Sequence, residues 1–133
     1  MNIHDFKKLM QAVADGWNSY DPKKSISCFT DDIVYMEPPD KQLVVGKDNL
    51  FKYFDNPKPM RLVWHHLMFD EEKQIGAGEF TFTMKGRQGN HGVVVVELKN
   101  GKIKFWREYY KISDLDFKNF ISKENKKFEF KLD

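Results

Sequence analysis

From Ile3 to Trp17 the apolar residues Phe6, Leu9, Met10, Val13 and Trp17 recur every three or four positions, the spacing of a helix that buries one face. Asp21-Pro22 marks a second start. Asp accepts from the free amides of a first turn and Pro fills the first helical position without losing a bond, so a short helix is expected to about Phe29. Asp32 to Glu37 alternates as a strand does, and Pro38-Pro39 stops it because neither residue can donate to a sheet ladder. Asp48 then predicts the cap of a third short helix, Asn49 to Phe54, ended by Pro57 and Pro59.

Beyond residue 60 the pattern turns from helical spacing to strands. Arg61 to Phe69, Gln74 to Met84, Gly92 to Leu98 and Lys102 to Lys111 are rich in β-branched and aromatic residues. They are separated by turn signals at 70–73, at 86–89 and at Asn100-Gly101, where Asn-Gly readily takes the positive φ angles of a two-residue hairpin. A long antiparallel meander follows from this. Gly76 and Gly78 stand two apart within one strand and are expected to mark a bulge where the sheet bends. Ser113 with Asp116 three residues on resembles a capping box, so a closing helix from Asp114 to Ile121 is expected before a lysine-rich tail that should fray. With no internal repeat, low-complexity tract or linker, the pattern describes one α+β domain over residues 1–133.

Composition narrows the function classes. A chain of 133 residues fits a single domain, and 41% hydrophobic with 15% aromatic residues is enough apolar material for a core, which excludes intrinsic disorder. Lys and Arg number 22 against 20 Asp and Glu, so no large single-sign field exists to hold a phosphate backbone, and no nucleic-acid partner is expected. No apolar stretch approaches the roughly 18–20 residues that span a bilayer, and Met1-Asn2-Ile3-His4-Asp5 lacks the features of a signal peptide. These traits read as a soluble cytoplasmic protein with no membrane partner. Cys28 is the only cysteine, so neither an intrachain disulfide nor a Cys-based zinc site can form; on a short amphipathic helix it reads as a buried, inert thiol.

Three helices, a short strand ending in a Pro-containing loop and a four-stranded meander ending in Lys102-Ile103-Lys104-Phe105-Trp106-Arg107-Glu108-Tyr109-Tyr110 resemble the nuclear-transport-factor-2-like fold, specifically its SnoaL-like branch. The resemblance covers nearly the whole chain. It is carried by Trp17-Asn18-Ser19-Tyr20-Asp21-Pro22, by Phe29-Thr30-Asp31-Asp32 before the first strand, by Gly46 before helix three, and by Gly101-Lys102-Ile103 leading to Trp106-Arg107-Glu108-Tyr109. It implies a bent sheet that wraps the helices into a cone with one open mouth. Because that scaffold hosts isomerases, cyclases, epoxide hydrolases and non-catalytic binders, function has to be argued from the site.

Glu37 is the most informative carboxylate, at the end of an apolar strand between Met36 and Pro38 and inward-facing if it shares a face with Tyr35. Apolar neighbours disfavour its charged form and make it a better base near neutral pH; a strand-end residue capping the Pro loop is the alternative. From Phe29 through Gly46 the spacing is similar to that of ketosteroid isomerase without a gap, which puts Glu37 where that family carries its Asp base. The chain departs from that family at Val13, in place of the oxyanion Tyr, and in the run Val93 to Val96, in place of the protonated Asp. Trp106-Arg107-Glu108 resembles the Trp-Arg-Asp of limonene epoxide hydrolase, with Glu108 matching the acid and Tyr35 the Tyr. Glu37 then stands where that family has Asn, and Gly76-Ala77-Gly78-Glu79 holds no arginine where its second Arg and Asp belong, Glu79 being the available acid.

Alternation puts Trp106, Glu108 and Tyr110 on one face of their strand. Of His65 and His66 only one can look inward, and His66, in step with Trp64 and Met68, is the expected one; His91 would share a face with Val93 and Val95. An inward histidine could bond Glu79 or Glu108, as a proton relay or as a satisfied buried network. No tight ligand spacing for a metal and no Gly-rich phosphate cradle is present, so neither metal nor cofactor is expected.

The expected pocket is therefore lined by Trp17, Tyr35, Trp64, Trp106 and Tyr110, with Glu37, His66, Glu79, His91 and Glu108 as its polar groups. The resulting expectation is a small-molecule-binding protein, as an enzyme one of cofactor-free acid/base chemistry of isomerase, cyclase or epoxide hydrolase type on a compact, largely apolar substrate. The alternative is a non-catalytic ligand-binding or dimeric assembly module, a homodimer through the valine-rich strand at 92–98 and the outer face of the last strand.

Overall fold

Helix α1 (Ile3–Asn18) lies in the hollow of a six-stranded, curved, unclosed sheet, and its buried face Phe6, Met10, Val13 and Trp17 is the face the spacing predicts. The structure, a computed structural model, describes residues 1–124; the lysine-rich tail, for which fraying is expected, lies outside them. Asn2 caps α1 by accepting from the Asp5 amide at 2.9 Å. Helix α2 (Pro22–Ile26) starts at the expected cap, Asp21, but ends before Phe29. Phe29 is in register with Ile103, whose amide donates to Cys28 O at 2.9 Å, so the ladder takes the chain before another helical turn can form.

Strand β1 (Phe29–Glu37) runs into a single 3₁₀ turn at Pro38–Asp40, and Lys41 at φ 54° reverses the chain into β2 (Gln42–Val45), an edge strand too short to show a period in the sequence. Helix α3 (Lys47–Phe54) begins two residues earlier than predicted. Its cap is Gly46, at φ 89° where glycine alone is at ease, while Asp48 sits in the first turn and favours the positive end of the helix dipole. The meander follows as β3 (Met60–Asp70), β4 (Ile75–Met84), β5 (Arg87–Lys99) and β6 (Lys102–Ile112). Strand β5 starts five residues before the predicted Gly92, because the turn at 85–86 is tight around Gly86 at φ 89°. Asn100 and Gly101 both take positive φ, as their hairpin requires. Helix α4 (Phe117–Phe120) is shorter than the expected 114–121 and is capped by Asp116 instead of Ser113.

The sheet order is β2-β1-β6-β5-β4-β3, antiparallel throughout except for the parallel pair β1 and β6. Three features fix how α1 sits on it. The Asn18 side chain clamps Leu62 of β3 from both sides, accepting from its amide at 2.7 Å and donating to its carbonyl at 3.0 Å. Trp64 donates its indole N–H to Met10 O at 2.8 Å. Gly76 and Gly78 leave room for the rings of Phe6 and Trp64; a Cβ on Gly78 would lie 2.6 Å from Trp64 Cζ3. They do not mark a bulge, since the meander's register shifts fall at Trp64/His66, Phe82/Met84 and Glu97/Leu98.

The shift in β3 decides which histidine looks where. Leu62 and Trp64 face the core, the extra residue then inverts the alternation, and Leu67 and Phe69 face it next, leaving His66 and Met68 exposed on the outer side. Among the described residues no helix is long and apolar enough to cross a membrane.

Candidate functional site

Tyr35 is paired with Trp106 and Met36 with Arg107 across the parallel β1–β6 ladder. One residue further, the same register brings Glu37 beside Glu108 at the inner surface, each only 7% exposed. Two neighbouring carboxyls cannot both ionise in a dry environment, so they share a hydrogen bond and titrate as one unit. Burial, followed by the adjacent Glu37 charge, pushes Glu108 up to about 8, and the Trp106 indole N–H, 3.2 Å from Oε1, opposes this. Burial also raises Glu37, opposed first by the Tyr53 hydroxyl, which donates to its Oε1. With that donor on Glu37, a proton retained by the pair is favoured on Glu108 over Glu37.

These carboxyls open on a cavity of about 250 Å³, room for roughly eight waters at ~30 Å³ each. Trp17, Phe54, Leu62, Phe80 and Phe82 make most of its apolar wall, and Tyr35, Tyr53, Asn56, Arg87 and Asn90 are its other polar groups. Tyr35 stacks on Trp106 with ring centroids 5.5 Å apart and planes 11° from parallel, which fixes both rings under the acid pair. Burial and the nearby Glu108 and Glu37 charges hold the Tyr35 phenol well above its usual range. The Arg87 guanidinium lies over the Phe82 ring, 5.4 Å from its centroid, and supplies the positive charge that tempers both glutamates.

Of the ten residues the sequence puts forward, Trp17, Tyr35, Glu37 and Glu108 line this cavity. Trp106 lies fully buried as the donor to Glu108, and Trp64 is held in the core by Met10. Tyr110 is kept protonated well above its usual range, by burial and then by its hydrogen bond to Asp40. The expected relay through His66, His91 and Glu79 does not form. Thr81 bridges His65 and His91, at 2.7 Å and 3.2 Å, and Phe117 packs over both imidazole rings with centroids 4.4 and 4.9 Å away. Glu79 is paired with the outward His66 and with Val93, so it too lies on the outer face. Among the described residues no group of three or more His, Cys, Asp or Glu is placed to hold a metal ion. Cys28 is buried, and burial pushes its thiol up.

Four polar lining groups escaped the sequence reading, Tyr53, Asn56, Arg87 and Asn90. Tyr53 follows Leu50 by three residues on α3, so the helical period puts it near the cavity, where it stays 44% exposed while its hydroxyl reaches Glu37. Asn90 would have been found by extending the alternation Val96, Val94, Gly92 backwards by one step.

The profile of the SnoaL-like domain family matches residues 10–106. Comparison of the sequence with curated proteins yields no match. Among solved structures, the fold is similar to an NTF-2-like protein of unknown function from Burkholderia xenovorans LB400, with a TM-score of 0.72 at 14% identity over 91% of this chain and 95% of that one. It is also similar to an LEH-like epoxide hydrolase from M. tuberculosis, with a TM-score of 0.69 at 18% identity over 79% and 81% of the two chains. A computationally designed 17-OHP binder superposes with a TM-score of 0.67 at 17% identity over 78% and 88%.

Proposed function

The chain belongs to the SnoaL-like domain family, and on that premise we propose that its cavity binds a compact, largely apolar small molecule and moves a proton on it, Glu37 acting as base and Glu108 as acid. The observation that carries this reading is the pair itself, two adjacent buried carboxyls beside an apolar chamber, both pushed up by burial. A carboxylate and a carboxylic acid side by side can take a proton from one atom of a ligand and return one to another. Isomerisation suits that inventory best, since it leaves the pair with one proton at the end and consumes no water. The missing oxyanion acid of the run Val93 to Val96 is then supplied from another strand, by Glu108. Similarity of fold to an epoxide hydrolase and to a designed binder supports ligand binding in this kind of cone at the level of architecture only.

The test is conversion of 3-cyclohexenone to 2-cyclohexenone in D₂O, read by NMR as isomerisation with deuterium incorporation. Glu37→Gln and Glu108→Gln, checked for folding by circular dichroism, should each slow it at least about a hundredfold. Turnover equal to wild type in both variants, or no wild-type rate above buffer, overturns the proposal.

A second reading rests on the outer face of the sheet. Met68 on β3, Val93 on β5 and Tyr109 on β6 are 50%, 39% and 48% exposed, and Val93 is in register with Tyr109. Such an apolar strip suits a second copy of the same chain docked about a two-fold axis. Sedimentation equilibrium should give a dimer for the wild type and a monomer for Val93→Glu. A wild-type monomer at high protein concentration removes this reading and leaves the first intact.

A further inference from the structure

The three tryptophans of this chain are not alike. Trp64 donates its indole N–H to Met10 O at 2.8 Å and Trp106 donates to Glu108 Oε1 at 3.2 Å. Trp17 lines the cavity, is 7% exposed, and its Nε1 is shielded from solvent with no acceptor among the described residues. An indole N–H can only donate, and a buried donor without a partner is costly. The ring cannot easily turn to find one. It is held edge-on or tilted against Phe54, Phe82 and Trp106, with centroids 5.0, 6.0 and 6.1 Å away, and the next residue is Asn18, whose amide clamps Leu62. None of these three rings carries a strong acceptor. Asn90, 6% exposed, lines the same cavity and brings a second polar side chain to it.

We infer that Trp17 is a ligand-selecting residue, whose indole N–H donates to an acceptor oxygen on an otherwise apolar, uncharged molecule held in the cavity. The uncharged character follows from the surroundings. An anion would meet the Arg87 guanidinium but also the two glutamates that guanidinium already tempers, a cation offers nothing for an N–H to donate to, and the walls at Phe54, Leu62, Phe80 and Phe82 disfavour either. Selection works through the penalty of leaving the donor unpaired: a hydrocarbon of the same shape fills the chamber but leaves Trp17 unsatisfied. The inference rests on the reading of this chamber as a small-molecule site, and it holds whether or not the bound molecule is turned over.

The test uses an isosteric pair, camphor and 2-methylenebornane, in which a methylene group replaces the carbonyl oxygen. Each is titrated into the ¹⁵N-labelled protein while the indole ¹H–¹⁵N signals are followed. Both compounds should enter, camphor about tenfold more tightly, and camphor alone should move the Trp17 N–H proton downfield. Trp17→Phe, which keeps an aromatic ring but removes the donor, should abolish the tenfold preference by weakening camphor and leaving the alkene unchanged. Equal affinities with an unmoved Trp17 signal overturn the inference while the chamber still stands as a ligand site. If neither compound binds, the chamber reading falls and takes this one with it. Should Trp17→Phe fail to fold, the comparison of the two ligands on the wild-type protein decides alone.

Discussion

Trp106 and Glu108 stand two residues apart on the inner face of β6, and the indole N–H of the first donates to Oε1 of the second at 3.2 Å. That bond favours the charged form of Glu108 and opposes the burial and the Glu37 charge that push it up to about 8. In Trp106→Phe the opposition is gone, so the carboxyl should titrate above about 8, with a stability loss of about 1 kcal/mol from the hydrogen bond and more from the smaller ring. Carbon-detected NMR of ¹³C-labelled glutamate reads the titration directly. An unchanged or lower midpoint would show that the indole does not hold the carboxylate.

Stability should fall as pH rises. Glu108 has an ordinary value of 4.5 when unfolded and about 8 when folded, so between those values the unfolded chain has lost a proton that the native state keeps. The slope in that window is negative and approaches ~1.4 kcal/mol per pH unit for one proton, while below pH 4.5 this group makes no difference. Glu37, raised in the same direction, adds to the slope at its acid end. Urea unfolding at pH 5, 6.5 and 8 measures the trend, and Glu108→Gln should flatten it. A curve that rises across the window contradicts a proton retained by Glu108.

Tyr53 is the donor that favours the charged form of Glu37, since its hydroxyl bond is the largest influence lowering that carboxyl against burial. Burial and the same bond hold the Tyr53 phenol well above its usual range, so the donor stays protonated wherever the protein is folded. Tyr53→Phe should therefore move the Glu37 titration upward and shift the acid limb of any pH–rate profile to higher pH. Identical limbs in the two proteins would remove Tyr53 from the site.

Gly78 should not tolerate a side chain. An added Cβ would lie 2.6 Å from Trp64 Cζ3 and 2.9 Å from Leu67 Cδ2, both in the packed layer between β3 and α1. Gly78→Ala is expected to cost about 1–3 kcal/mol by overpacking, read as a lower denaturant midpoint. A neutral result would show that Trp64 can retreat without loss, despite its bond to Met10.

Local chemistry was legible in the residues themselves. The helical stripe Phe6, Met10, Val13 and Trp17, the Asp21-Pro22 start, the strand-ending Pro38-Pro39 and the Asn100-Gly101 hairpin each depend on neighbours within a few positions, and each appears where the sequence predicts it. Likewise the alternation that places Trp106 and Glu108 on one face of β6 needs nothing beyond its own strand. What the chain could not reveal by itself are the outcomes of pairing between distant segments. That β1 and β6 run parallel, in a register that sets Glu37 against Glu108, is decided by pairing between segments some seventy residues apart, and the coupling of the two carboxyls depends on it. The single extra residue between Trp64 and His66 is invisible in an apolar pattern, yet it turns His66 to the outer face because side-chain direction in a strand alternates with period two. The sequence puts Trp17 forward as a pocket-lining aromatic; only the packing of Phe54, Phe82 and Trp106 around it leaves its N–H without an acceptor among the described residues. Spacing along the chain set the elements, and contacts between residues far apart in it set the chemistry, since charge and burial are properties of what lies within a few ångströms in space.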